Sequence, residues 1–497
     1  MKTLYELAKL TGRQKRIIDA LVPPTEESPL KKLCEIVFAD EEMEESECMD
    51  EIYGRKNISA FSRLKTRLKD ILLHVFLLQH NNHESIDSRN TESILGYRQI
   101  VIARLLIFKR SNLGIDMMEK AIVKSMKYHS AESVLFQARL LVSYYGQSEF
   151  NKYKFQKYTA IQEKYFLYYT WEVKAERYYA DLQRGQLQSL ANPSEDTISK
   201  ARDYVEELES VVNVPTFQFI LFRYRVKSAY LEYTKNYTEL LEISNKAFKD
   251  FNTPENNSNT ILAGINLRRA FALIQAGRYN EVISIGTKDL SKLINGSLGW
   301  YLIAHYTLKA HLYSENYIKA IELISLMLEN PRFPKLQENF KEIFFTTLGY
   351  IHIVVDSGIA GDSKEISKKV PEFKLGRFLN TTPVFSKDKR GINVSILLMH
   401  IAFLLQRKDY NAIIDRTDSL NQYAYRYLRK DDSFRSNCMI KMVIQMTKAD
   451  FHPVRTARYT ADLRKQLSHV TLAGSGENIE VEIIPFEVLW DIMTKAL

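Results

Sequence analysis

Apolar residues recur along most of this chain at intervals of three and four, the spacing that puts them on one face of an α-helix. Leu95 to Phe108, Met117 to Met126 and Ser133 to Tyr145 each follow it. Further on, the periodic stretches come in pairs separated by a few polar residues. Phe217–Tyr233 pairs with Tyr237–Phe248, Thr260–Ile274 with Tyr279–Leu293, and Leu298–Tyr313 with Tyr317–Leu328, which Pro331 closes. Val394–Gln406 pairs with Tyr410–Tyr423, and Phe340–Val355 supplies the first helix of an intervening pair. The pattern predicts a series of helical hairpins.

The turns between paired stretches share a grammar: a small or polar residue, then Tyr, then an aliphatic pair three residues on. Asn236-Tyr237, Arg278-Tyr279 (after Ala276-Gly277), Asn316-Tyr317 and Asp409-Tyr410 all fit. The turn tyrosines lie 42, 38 and 93 residues apart, the last gap being wide enough for two units. Gly277-Arg278-Tyr279 with Ala270 upstream, and Ala320 with Pro331, resemble the turn, the packing alanine and the closing proline of tetratricopeptide repeats, a family of helical pairs near 34 residues long. The period here is longer and irregular, and most small positions hold Leu or Ile. The resemblance implies an all-α fold, a right-handed superhelix of stacked helical hairpins (a TPR-like α-solenoid). Tyr237, Gly277, Tyr279, Tyr317, Ala320 and Tyr410 would be its structural turn and packing residues. The array would run over 93–450, with an insertion near 356–392.

Residues 1–80 read as a separate N-terminal helical segment. Met49 to Tyr53 ends on Gly54, a helix C-cap signal. After Arg55-Lys56-Asn57, the positions Phe61, Leu64, Leu68, Ile71, Leu72, Val75 and Phe76 share one helix face, and Arg63, Lys65, Arg67 and Lys69 lie off it. Helix, Gly turn and basic helix outline a helix-turn-helix. The run Ser62 to Lys69 also resembles the recognition-helix end of winged-helix domains. That resemblance implies DNA contact through Arg55, Lys56, Arg63, Lys65, Arg67 and Lys69. The plainer alternative is an amphipathic helix whose Lys and Arg stems cover the edge of a core. Some bacterial regulators join a winged helix to helical repeats in this order.

The chain has 497 residues, beyond the usual limit of a single core, so it has several domains or is a solenoid. Only 18 Gly and 12 Pro in that length favour long helices over many short strands. The net charge of +9 is the difference of 69 basic and 60 acidic residues, a mild field that permits nucleic-acid contact without requiring it. Three cysteines, Cys34, Cys48 and Cys438, without paired spacing read as reduced thiols. With no apolar leader and no apolar run near 20 residues, the expectation is a cytoplasmic protein with no membrane contact.

Candidate chemistry is sparse. His80, His83 and Glu84 lie in a polar linker at the wrong spacing for a helical metal pair. Residues 356–364 lack phosphate-loop spacing. The Tyr- and Lys-rich stretch 150–179 could stack single-stranded nucleic acid, but Tyr at helical spacing more simply fills the gaps between helices. The acidic run 40–47 reads as a solvated face or first helical turn. Ile479 to Ile484 alternates like a strand. Pro485 ends it and a helix follows, so 451–497 would be a small capping element. No metal, cofactor or catalytic constellation emerges. The expectation is a non-catalytic scaffold for a protein or peptide partner, with oligomeric state open. The alternative is a DNA-binding regulator whose repeats sense a partner.

Overall fold

The structure, a computed structural model, describes residues 1–11, 28–39, 42–54, 57–79, 88–109, 111–128, 130–188, 193–253, 258–361, 366, 368–381, 392–417, 434–475 and 479–497. Arg55 and Lys56, and His80 and His83 with Glu84, lie outside these residues. Every regular element among the described residues is helical. Contacts divide the chain into two units, Met1–Leu95 and Gly96–Leu497.

In the first unit, α1 (Lys2–Leu10), α2 (Pro29–Phe38), α3 (Glu45–Tyr53) and α4 (Ile58–Gln79) enclose one core. The apolar stripe of α4 buries Phe61, Leu64, Leu68, Leu72 and Val75 against Leu4, Leu33 and Val37. Gly54 ends α3 in the left-handed conformation that favours glycine.

The boundary between the units falls within α5 (Ser88–Phe108). Then come α6 (Leu113–Lys127), α7 (Ala131–Gln147), the long α8 (Lys152–Gln188) and α9 (Glu195–Ser210). The paired stretches follow as α10 (Phe217–Tyr233) with α11 (Tyr237–Phe251), α12 (Asn259–Gln275) with α13 (Tyr279–Leu290), and α14 (Leu298–Tyr313) with α15 (Tyr317–Glu329). Beyond them lie α16 (Glu338–Asp356), α17 (Leu375–Thr381), α18 (Ile392–Gln406), α19 (Phe434–Lys448), α20 (Pro453–His469), α21 (Leu472–Ser475) and α22 (Phe486–Lys495). Residues 410–417 are helical as well. From α10 to α15 each helix packs on the next. Leading helices also meet, α8 with α10, α12 with α14 and α16 with α18.

The turns repeat in atomic detail. Lys235, Gly277, Glu315 and Lys408 each stand two residues before the turn tyrosine, and each has a φ between 57° and 70°. The next N–H reaches back five residues: Asn236 N to Leu231 O, Arg278 N to Leu273 O, Asn316 N to His311 O and Asp409 N to Leu404 O, at 2.8–3.0 Å. This is the Schellman closure, which satisfies carbonyls that a helix end leaves without partners. Asn236 and Asp409 then cap the second helix, accepting from Glu239 N at 3.3 Å and Ala412 N at 3.2 Å. Tyr237 stacks edge-on against Phe271, and Tyr279 leans on Tyr313, with ring centroids 5.5 and 5.4 Å apart. Tyr410 stacks on Phe451 at 4.5 Å. Tyr317 and Ala320 are buried in the main core.

Four aromatics of the Tyr- and Lys-rich stretch, Tyr158, Tyr165, Tyr168 and Tyr178, are buried in a core of their own region, while Phe150, Tyr153 and Phe166 remain exposed. In the insertion near 356–392, Val370, Leu375 and Phe378 join the main core. Phe373 lies parallel to both His352 and Phe403.

One expectation fails outright. Residues 479–484 form no strand; they run through turns and bends between α21 and α22. Alternation requires only that successive side chains meet unlike surroundings, whereas a ladder also needs a neighbouring strand. Here the neighbours are helices.

Candidate functional site

Helix α14 is apolar almost all round, yet carries His305, Lys309 and Tyr313 four residues apart, on one face. All three are buried. Ionisable groups in such a place need polar partners. They find them in residues 479–487, which lie across α14, α18 and α19.

His305 Nε2–H donates to Glu480 Oε1 at 2.7 Å. Lys309 Nζ donates to Ile479 O and lies 3.7 Å from Glu480 Oε2. Tyr313 OH donates to Glu482 O at 2.5 Å. From α18, Ser395 Oγ reaches Glu480 O at 3.1 Å and also Val481 O. Tyr350 OH of α16 in turn donates to Ser395 O at 2.8 Å, fixing that backbone. The recognition is largely side chain to main chain, reading the carbonyls that the turns and bends of 479–484 leave outside any helix.

Arg435, near the start of α19, completes the arrangement. Its Nε and Nη2 bond Glu482 Oε2 and Oε1 at 2.8 and 2.7 Å. Nη2 also reaches Glu487 Oε2 at 2.7 Å, and Nη1 donates to Leu467 O and Val470 O at 3.0 and 2.6 Å. All five guanidinium N–H groups are therefore used. Glu482 additionally accepts from Phe486 N at 2.8 Å, at the first turn of α22. Ile479, Val481, Ile483 and Ile484 are buried between these polar contacts.

Electrostatics follow from the geometry. Burial alone would raise the Glu480 carboxyl, but His305 and Lys309 hold it down at about 2. Burial pushes the Lys309 ammonium down, against the upward pull of Glu480. Burial also opposes the Arg435 charge, but its bonds to Glu482 and Glu487 keep its pKa above the ordinary value.

The basic residues picked out on α4 are divided. Arg63, Arg67 and Lys69 are exposed. Lys65 is half-buried, bonded to Glu45 at 2.5 Å and held over the Phe61 ring, so it ties α4 to α3. The sequence marks Ile479–Ile484 only as an alternating segment and assigns no site role to Glu480, Glu482 or their partners. The available signal was a Lys and a His at helical spacing within an apolar helix, together with two glutamates alternating with aliphatics.

A cleft of about 700 Å³ opens beside α22, bounded by His352, Phe373, Phe403, Arg407, Lys408 and Lys495 among others. His352 Nε2–H is committed to Pro371 O at 2.9 Å, and Lys495 to Ser357 O at 3.1 Å. Among the described residues, no group of three His, Cys, Asp or Glu is placed to hold a metal, and no helix is long and apolar enough to cross a membrane.

No family model, curated protein or solved structure matches this chain significantly.

Proposed function

We propose that this protein is a non-catalytic interaction scaffold. Its helical hairpins stack as a TPR-like superhelix, and the leading helices line a groove that holds an extended peptide of a partner protein. The recurrent left-handed turn and the Tyr237–Phe271 and Tyr279–Tyr313 contacts, each spanning 34 residues of chain, support the repeat reading. The observation that carries the functional reading is residues 479–485. Helices α14, α18 and α19 already hold this segment of turns and bends by its backbone carbonyls and its carboxylates. A surface that does this for a segment of its own chain has the chemistry to do it for another. Three buried cysteines, none of them in a disulfide, suit a reducing, cytoplasmic setting.

Affinity capture of the tagged full chain from native lysate, with and without nuclease, tests the reading. A stoichiometric protein partner in both halves is the expected result. Nucleic acid recovered only without nuclease would overturn it.

A second reading rests on α4, where Arg63 and Arg67 are exposed one turn apart beside Lys69. A DNA-binding regulator would use them on phosphates. Steep loss of duplex DNA binding with salt, flattened by Arg63→Glu and Arg67→Glu, is the outcome that would favour it.

A further inference from the structure

We infer that the scaffold surface continues beyond residues 479–487 into a second, cationic and aromatic subsite around Arg225, and that this subsite takes an acidic, extended peptide segment from a partner protein. The inference rests on the scaffold reading and gives its partner a chemistry.

Arg225 stands on α10, half-buried, with its guanidinium over the rings of Tyr179 and Phe222 at 5.5 and 5.1 Å. Among the described residues it has no hydrogen bond and no carboxylate at ion-pair distance, and Glu176 attracts it only from farther off. Burial pulls its pKa below the ordinary arginine value. Ring faces alone replace little of the hydration that a guanidinium loses.

The neighbouring cation shows the contrast. Arg268 on α12 donates to Tyr179 OH at 3.3 Å and lies 3.4 Å from Glu232, so it has both a hydroxyl and a carboxylate. Both members of that pair keep partial solvent contact, with side chains 18% and 15% exposed. The patch is thus enclosed without being sealed.

Towards the occupied site, neighbouring aromatics lead from α12 to α14. One turn along α12 from Arg268, Phe271 meets Tyr306 with centroids 6.2 Å apart, and Tyr306 meets His305 at 5.6 Å. His305 holds Glu480. At the occupied end, each buried cation faces a glutamate of residues 479–487: Lys309 and His305 face Glu480, and Arg435 faces Glu482 and Glu487. At the Arg225 end the same kind of cation has no glutamate in contact, Glu176 acting only at longer range. In an extended partner segment, carboxylates alternating with aliphatic residues would meet the guanidinium and the Tyr179 and Phe222 rings, because alternate side chains of such a segment face the same way.

The test uses the full chain and a fluorescein-labelled synthetic peptide, Ile-Glu-Val-Glu-Ile-Ile-Pro, read by anisotropy. Saturable binding is expected, weakened at least tenfold by Arg225→Met and by Arg225→Glu and unchanged by Lys120→Glu on an exposed site elsewhere. The same peptide with Lys in place of Glu is expected not to bind. Circular dichroism and Tm establish that each variant folds, and Arg225→Met keeps the aliphatic bulk if the charge reversal does not fold. Absent binding to the wild type, equal binding of the lysine peptide, or binding indifferent to both Arg225 variants would each overturn the subsite. If the wild type and Arg225→Met capture the same lysate partner equally, the subsite falls and the scaffold reading stands. If the wild type captures no protein partner, the scaffold reading itself falls.

Discussion

Arg435 and Glu482, 47 residues apart in sequence, face each other through two hydrogen bonds of 2.8 and 2.7 Å, and both are buried. Removing one member of such a pair strands the other charge in a poorly solvated place. Arg435→Met is therefore expected to lower unfolding free energy by about 3–5 kcal/mol. The Arg464–Asp491 pair is also 2.7 Å long, but both partners are more than half exposed. Arg464→Met should cost about 0–1 kcal/mol. Denaturant midpoints of the two variants, side by side, check the difference; equal losses would contradict the role given to burial.

Glu480 makes the stability of this region pH-dependent. Its carboxyl is held down at about 2, against an ordinary value of 4.5. A depressed folded pKa contributes stability that is fully present above the unfolded value and lost as pH falls through the folded one. The contribution, at most about 3 kcal/mol, should be constant above about pH 5 and fade between pH 4.5 and 2. Unfolding curves of wild type and Glu480→Gln should therefore separate at neutral pH and converge on acidification. A gap that widens towards pH 3 would contradict this.

The four left-handed turn positions are filled by one glycine and three larger residues. A Cβ at Gly277 would meet nothing within 4 Å, so only the backbone resists substitution there. Gly277→Ala is expected to cost about 1–2 kcal/mol. Glu315→Gly, at the equivalent position with φ 57°, should be neutral or slightly stabilising, because relief of strain offsets the added chain entropy. Thermal midpoints of the two variants should move in different directions or by clearly different amounts.

Ala320 is fully buried on α15. Three added carbons must be fitted among the buried side chains of the main core, so Ala320→Leu should destabilise by about 1–3 kcal/mol. Ala320→Gly should cost about 1 kcal/mol, from helix propensity. A neutral leucine variant, measured by chemical denaturation, would show that the helices approach less closely than described.

The hairpins were legible because their signal is local. Apolar spacing marks the helices, and Asn236-Tyr237 or Asn316-Tyr317 marks where one stops and the next starts. The left-handed positions at Lys235, Glu315 and Lys408 were not legible, since a Lys or Glu carries no local preference for that conformation; the Schellman hydrogen bonds impose it. The site at 479–487 was illegible for a different reason. Its periodicity of two was seen, but periodicity says how a segment is exposed, not what lies beside it. Only the placement of His305, Lys309 and Arg435 by three separate helices shows why Glu480 and Glu482 alternate with aliphatic residues. On α4, the sequence marks Lys65 and Arg67 alike as basic; the bond to Glu45 separates them.

The 175 residues between His305 and Glu480 have a consequence during synthesis on the ribosome. At about 5–20 residues per second, α14 emerges on the order of ten to thirty seconds before the glutamate that its cations require. Throughout that interval the nascent hairpins can assemble by neighbouring contacts, while Lys309 and His305 lack Glu480, and Arg435 lacks Glu482 once α19 is made. Truncation by a premature stop codon before residue 479 makes the same state permanent. The most apolar part of the array would then carry uncompensated charge, and cellular proteases would have a physical means of distinguishing it from the longer product.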